Sequence, residues 1–142
     1  MALFHREVSP MAIKRLLCPD RVRKIEGSFS WIDHRFVTEG FLHDLSMIEI
    51  LLYFFLIAVS DRHGLSFYHD DRIASLLKID LAALGKARGA LVKSSLLAYE
   101  PPLYQVLSLP PKPLALPSRE ERERQEQELA HHYFKKIREM LQ

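Results

Sequence analysis

The residues of this sequence that are best placed for chemistry are bases, and the chemistry they offer is contact with phosphate. Lys86 and Lys93 fall on the outward face of a predicted helix, among small residues that allow close approach. Arg72 belongs to the helix predicted just before it. Lysine and arginine neutralise phosphate without distinguishing bases, so these residues predict DNA binding mainly through phosphate contacts. The same pattern is also explained by a solvent-exposed face, or by a surface of small residues that packs against another helix.

A second basic cluster lies near the beginning of the sequence. Five bases fall within residues 14–24, opposed only by Asp20: Lys14, Arg15, Arg21, Arg23 and Lys24. An arm of this kind beside a DNA-binding domain can follow the phosphates or enter a minor groove. Ordinary surface charge explains a cluster of this size equally well.

The sequence contains no residue pattern that is typical of catalysis or of metal binding. Its seven histidines have no spacing that joins them to cysteine or carboxylate ligands, and Cys18 is the single cysteine. There is no glycine-rich phosphate loop and no G-x-S-x-G motif. We therefore expect no enzyme, no metal site and no cofactor. One cysteine also excludes an intramolecular disulfide, which fits a reducing compartment.

The composition is that of a folded protein with little net charge. Of the 142 residues, 48% are hydrophobic, and 20 bases against 18 acids give a net charge of +2. This apolar content suffices for a core, while the charge balance argues weakly against a broad nucleic-acid surface. The longest apolar run, 47–59, is shorter than the roughly 20 residues of a membrane span. With no evident signal peptide, we expect a soluble cytoplasmic protein.

Ser46 and Glu49 form a capping box that predicts the start of a long helix. We expect this helix to cover residues 47 to about 62 and to stop at Gly64 in a left-handed conformation. Because it is apolar on every side, it should be central and buried. The core residues expected on it are Leu52, Phe55, Leu56 and Val59.

The apolar spacing that follows predicts a strand at 65–68 and helices at 71–78 and 81–94. Leu84, Ala87 and Leu91 should form the inner face of the second of these helices. Two apolar runs around the prolines at 101–102 predict a β-hairpin with its turn there. The order is that of a winged helix-turn-helix, so the predicted fold class is mostly α with a small β-hairpin and a C-terminal helix.

From Phe36 to Leu109 the sequence resembles the winged-helix domains of bacterial and phage replication-initiation proteins, above all the N-terminal domain of DnaD-type primosomal proteins. The resemblance lies in "LSMIEILLYFFLIAVSDRHGLSF" and "DDRIASLLKIDLAALGKARGALVKSSLLAYEPPLYQVLSL" and covers roughly half of the chain. It implies non-catalytic DNA binding in replication initiation or in control of a mobile or phage element. Replication or transposition proteins would then be the partners.

Four parts of the chain differ in composition. They are an N-terminal basic arm (1–35), the winged-helix domain (36–109), a proline-rich linker (110–117) and a C-terminal helix (118–142). A second capping box, Ser118 and Glu121, should open the last helix, a charged segment that then turns amphipathic. Its apolar stripe consists of Leu129, Phe134, Ile137 and Leu141.

The stripe of the C-terminal helix has two explanations: it docks on its own domain, or it pairs with a second chain. We expect the second, a homo-oligomer and most simply a dimer.

An alternative function also follows from charge, since residues 46–110 hold six bases and six acids and the hairpin tip "YEPPLY" has no base. The protein would then be a protein-interaction or oligomerisation module that keeps the winged-helix fold without reading DNA.

Overall fold

The computed structural model of the protein describes residues 13–114 and 119–141, and shows a mostly helical chain with a small antiparallel sheet. The elements in chain order are α1 (Arg35–Thr38), α2 (Met47–Val59), β1 (Leu65–Phe67), α3 (Asp70–Leu77), α4 (Leu81–Lys93), β2 (Leu97–Glu100), β3 (Leu103–Val106) and α5 (Arg119–Met140). A 3₁₀ turn at Pro19–Arg21 precedes them. This is the winged helix-turn-helix order with a C-terminal helix, which confirms the predicted fold class.

Helix α2 begins at the predicted capping box and ends earlier than predicted. The Glu49 amide donates to Ser46 Oγ at 3.3 Å, and that hydroxyl donates to Glu49 Oε2 at 2.7 Å. The helix stops at Val59 because Ser60 is extended. Gly64 is left-handed, with φ +83°, but it lies in the turn before β1. A Cβ there would lie 2.5 Å from the Val106 carbonyl oxygen, so close approach to β3 requires the glycine.

The prediction that α2 is central and buried is confirmed for one side of the helix only. Leu52 and Leu56 are fully buried, whereas Phe55 and Val59 are only half-buried, and Met47 is 83% exposed. The reason is the size of the domain. The elements of a small winged helix cover one side of this helix and leave apolar residues on the other side facing solvent.

Helices α3 and α4 form the helix-turn-helix, and local signals set their limits. Lys78 ends α3 in a left-handed conformation, with φ 58°. Asp80 then caps α4 by accepting from the Ala83 amide at 2.6 Å. The predicted inner face of α4 is confirmed as part of the core: Leu84, Ala87 and Leu91. The opposite face of α4 is therefore the one available for contacts.

The sheet has the order β1-β3-β2, and both pairings are antiparallel. Strands β2 and β3 form the predicted hairpin, with Leu97 opposite Val106 and the turn at Pro101–Pro102. Strand β1 pairs with the other edge of β3. Tyr104 of β3 points into the core and is fully buried. The hairpin is thereby attached to the helices and forms the wing.

The described segment before α1, residues 13–34, is an irregular arm with one 3₁₀ turn. The apolar spacing in "MAIKRLLCPD" also predicts a short helix from Ala12 to Leu17, stopped at Pro19. This prediction is wrong for the described residues, 13–17, which are not helical. So short a segment cannot offset the cost of helix nucleation without packing, and Leu17 is exposed. Ser30 attaches the arm to the domain, since its hydroxyl donates to the Ser60 carbonyl oxygen at 3.1 Å.

The proline-rich segment and the last helix complete the chain. The Arg35 guanidinium donates to the carbonyl oxygens of Pro110 (2.6 Å) and Pro111 (3.2 Å), which ties the start of this segment to α1. The predicted capping box of Ser118 and Glu121 lies partly outside the described residues. Within the part of the chain that the structure describes, no helix combines the length and apolar character that crossing a membrane requires.

Candidate nucleic-acid interface

The outward face of α4 is built as the sequence predicts. Ala82, Lys86, Gly89 and Lys93 are exposed, because the opposite side of the helix is buried in the core. A Cβ placed on Gly89 would meet no heavy atom within 4 Å, so this part of the face is open. Two ammonium groups beside a flat, small-residue surface can accept an anionic backbone or an acidic helix at short range.

This face forms one wall of a groove of about 770 Å³. The first turn of α2 forms a second wall, and the beginning of α5 forms the third. Lys86 and Lys93 both line the groove, as do Arg122 and Glu126 of α5. The C-terminal helix therefore lies against the surface for which the sequence predicts DNA contact.

Lys86 is paired with a carboxylate of α5. Its Nζ atom lies 2.8 Å from Glu126 Oε2, and both side chains are more than half exposed. Exposed pairs of this kind contribute about 0.2–1 kcal/mol. The predicted phosphate-binding lysine thus already holds an anionic group, one that comes from the same chain.

Arg122 attaches α5 to the start of α2. Its Nη1 atom lies 3.4 Å from Glu49 Oε1, and its Nη2 donates to the Asp44 carbonyl oxygen at 3.0 Å. The Glu49 side chain is only 9% exposed, so Arg122 neutralises a carboxylate that water reaches poorly. Arg122 Nε is buried and has no hydrogen-bond partner among the described residues. This partly buried pair anchors the helix more firmly than the exposed Lys86–Glu126 pair.

Arg88 belongs to the interior of the fold and not to the outward face of α4. Its guanidinium donates to both Asp70 carboxylate oxygens (2.7 and 3.2 Å) and to Tyr104 Oη (2.9 Å). It also lies over the Tyr99 ring, 4.2 Å from the centroid. Burial lowers the pKa of Arg88, but the hydrogen bonds with Asp70 and Tyr104 raise it by more. On a helical wheel Arg88 lies at the edge of the core face of α4, which predicts a side chain that reaches towards the surface. No local sequence signal indicated its partners on α3 and the wing.

The structure does not bring the basic arm to the groove. Lys14, Arg15, Arg21, Arg23 and Lys24 are all exposed. Ser30 fixes the arm at the C-terminal end of α2, whereas the groove lies at the N-terminal end, roughly 16 Å away along the helix axis. Arg72 is exposed on α3 and does not line the groove. The eight predicted contact residues therefore occupy separate surfaces.

The apolar stripe of α5 faces solvent. Its side chains are all more than half exposed: Leu129, Phe134, Ile137 and Leu141. The first half of α5 lies on its own domain through Arg122 and Glu126, while the second half presents this stripe outward. The exposure leaves the stripe accessible to a second chain.

Among the described residues, no group of three or more histidine, cysteine, aspartate or glutamate side chains could hold a metal ion. Comparison of the chain with protein-family models, with curated proteins and with solved structures finds no match.

Proposed function

We propose that this protein is a non-catalytic winged-helix DNA-binding protein that acts in replication initiation or in control of a mobile or phage element, in the cytoplasm. The observation that carries the proposal is the outward face of α4, where Lys86 and Lys93 flank an open small-residue surface within a groove. The second helix of a helix-turn-helix is the element that enters the major groove. The biological setting, with replication or transposition proteins as partners, rests on the sequence resemblance.

Binding by this face would be governed by phosphate contacts. Lysine offers a point charge, and the remaining side chains of the face are too small to form paired hydrogen bonds with base edges. Lys86 Nζ donates to a carboxylate oxygen at 2.8 Å in the structure, and a phosphate oxygen is an equivalent acceptor. About five contacts, from α4, Arg72 and the arm, would give a log–log salt slope near −4.5 on duplex DNA.

The basic arm supplies the second contact region. Its described bases are exposed, and its described backbone is irregular apart from one 3₁₀ turn, so it can follow a phosphate backbone without first unpacking from the domain. Trp31, the single tryptophan of the chain, lies on this arm and is 76% exposed. Its fluorescence therefore reports contact of the arm with DNA separately from contact of α4.

The test is a salt-dependent titration of labelled duplex and single-stranded DNA with the full chain. Replacing Lys86 and Lys93 by alanine should weaken binding to all sequences alike and make the salt slope shallower by about 1.8, since each phosphate contact contributes about 0.9. Lys112→Ala is the matched control, because it removes one exposed lysine from the proline-rich segment. An unchanged affinity in the double variant would exclude α4 from the interface.

A second candidate function is a protein-interaction or oligomerisation module with the same fold. The exposed stripe of α5 favours it, because an apolar surface of this kind is usually covered by a partner. The wing turn also offers the exposed acid Glu100 in place of a base. A homodimer formed through the stripe would place two winged domains side by side. A chain that dimerises and shows no DNA binding at low salt would support this function over the first.

A further inference from the structure

We infer that the first turns of α5 form an intramolecular clamp that closes the α4 groove and competes with DNA phosphate for Lys86. The inference rests on the proposed function, because it concerns the regulation of the same groove. It is carried by two contacts that join α5 to the domain. Glu126 pairs with Lys86 at 2.8 Å, and Arg122 pairs with Glu49 at 3.4 Å.

The charge of the clamp explains why α5 and DNA would exclude each other. Residues 119–128 contain five acids and three bases. Glu123 and Glu126 both line the groove opposite the lysines of α4. A DNA backbone that enters the groove with α5 in place would meet these carboxylates at short range, where like charges repel, and α5 itself fills one side of the groove. DNA can therefore occupy the groove only when α5 has moved away.

The geometry also makes the clamp releasable. The Lys86–Glu126 pair is exposed and weak, so the partly buried Arg122–Glu49 pair is the stronger of these two attachments. The second half of α5 presents its apolar stripe to solvent and adds little to the closed state. If only a fraction of molecules is open at a given moment, the apparent dissociation constant for DNA rises in inverse proportion to that fraction.

Two substitutions should release the clamp, and one of them distinguishes this release from the effect of a general change in charge. Glu126→Gln removes the carboxylate from Lys86. Arg122→Ala removes the anchor and also one positive charge, so a general charge effect predicts weaker DNA binding whereas the clamp predicts tighter binding. Glu128→Gln is the matched control, since it removes an exposed carboxylate from α5 outside the groove.

The experiment measures DNA affinity of the full-length variants at fixed salt, after thermal unfolding has verified that each variant is folded. Glu126→Gln should tighten binding roughly threefold, within the range of one exposed ion pair, and Arg122→Ala by about threefold to tenfold. Glu128→Gln should change affinity by less than about twofold. Hydrogen exchange of residues 119–128 in the unmodified protein should become faster when DNA is added, because α5 leaves the groove.

The outcomes separate the clamp from the function on which it rests. If the unmodified protein binds DNA but Arg122→Ala binds equally or more weakly, the clamp is wrong and the DNA-binding proposal stands. Unchanged or slower exchange in residues 119–128 on DNA binding would also overturn it. If neither the unmodified protein nor any variant binds DNA at low salt, both proposals fail together.

Discussion

Arg88 connects α4, α3 and the wing, so its replacement by alanine tests whether these contacts stabilise the attachment of the wing to the helices. One guanidinium contacts Asp70 at the start of α3, Tyr104 in β3 and the ring of Tyr99 in β2. Arg88→Ala removes all three contacts at once. We expect the fold to persist with lower stability, because the apolar core of α4 does not include this side chain.

The size of the effect follows from the surroundings of each partner. Tyr104 is fully buried, and a buried hydroxyl that loses its partner costs about 1–3 kcal/mol. The Asp70 side chain is 41% exposed, so water compensates for much of that ion pair and only about 0.2–1 kcal/mol is lost. The contact with the Tyr99 ring adds about 0.5–1 kcal/mol. Allowing for relaxation around the smaller side chain, we expect a loss of about 2–4 kcal/mol in the free energy of unfolding.

The assay is a denaturant melt of a double-mutant cycle with Tyr104→Phe. Because phenylalanine has no hydroxyl to leave unpaired, Arg88→Ala should cost about 1–2 kcal/mol less in that background. Arg72→Ala is the control, since Arg72 is an exposed arginine on α3 and should change stability by less than about 0.5 kcal/mol. Equal costs of Arg88→Ala in both backgrounds would refute the hydrogen bond as the source of the stability.

Three further predictions concern other parts of the fold. Burial, and to a smaller extent Asp33, raises the pKa of Tyr53 from 10.0 to about 12. The native state then holds this proton more tightly than the unfolded chain, so stability is lost as the pH rises from 10 to about 12. Tyr53→Phe should reduce this loss in melts at alkaline pH. Gly64→Ala should cost about 2–4 kcal/mol, since a left-handed φ is combined with a collision against backbone, whereas Gly40→Ala, with φ +85° in open space, should cost about 1 kcal/mol in the same melts. Ile137→Asp should convert a dimer to a monomer in sedimentation and leave the domain folded, because Ile137 is exposed; a chain that sediments as a monomer before the change would contradict dimerisation through the stripe.

The fold class could be predicted because its signals are local. Ser46 with Glu49 and Asp80 act on amides three residues away, so they mark helix starts wherever the rest of the chain lies. The pattern that buries one face of α4 likewise depends only on helical spacing. The predictions that depended on packing failed. The described residues of the helix predicted at 12–17 are exposed, and no described residue covers the outer side of α2.

The candidate site was decided by the tertiary structure. Lys86 and Glu126 are 40 residues apart, and Glu49 and Arg122 are 73 residues apart. No local pattern joins such positions, because their pairing depends on where the proline-rich segment directs α5 and on which side of α5 then meets the groove. The sequence by itself identified Lys86 and Lys93 as exposed bases on a small-residue face. The contact between Lys86 and the Glu126 carboxylate became visible only in the folded chain. The distance between two side chains this far apart in sequence is set by the packing of whole elements.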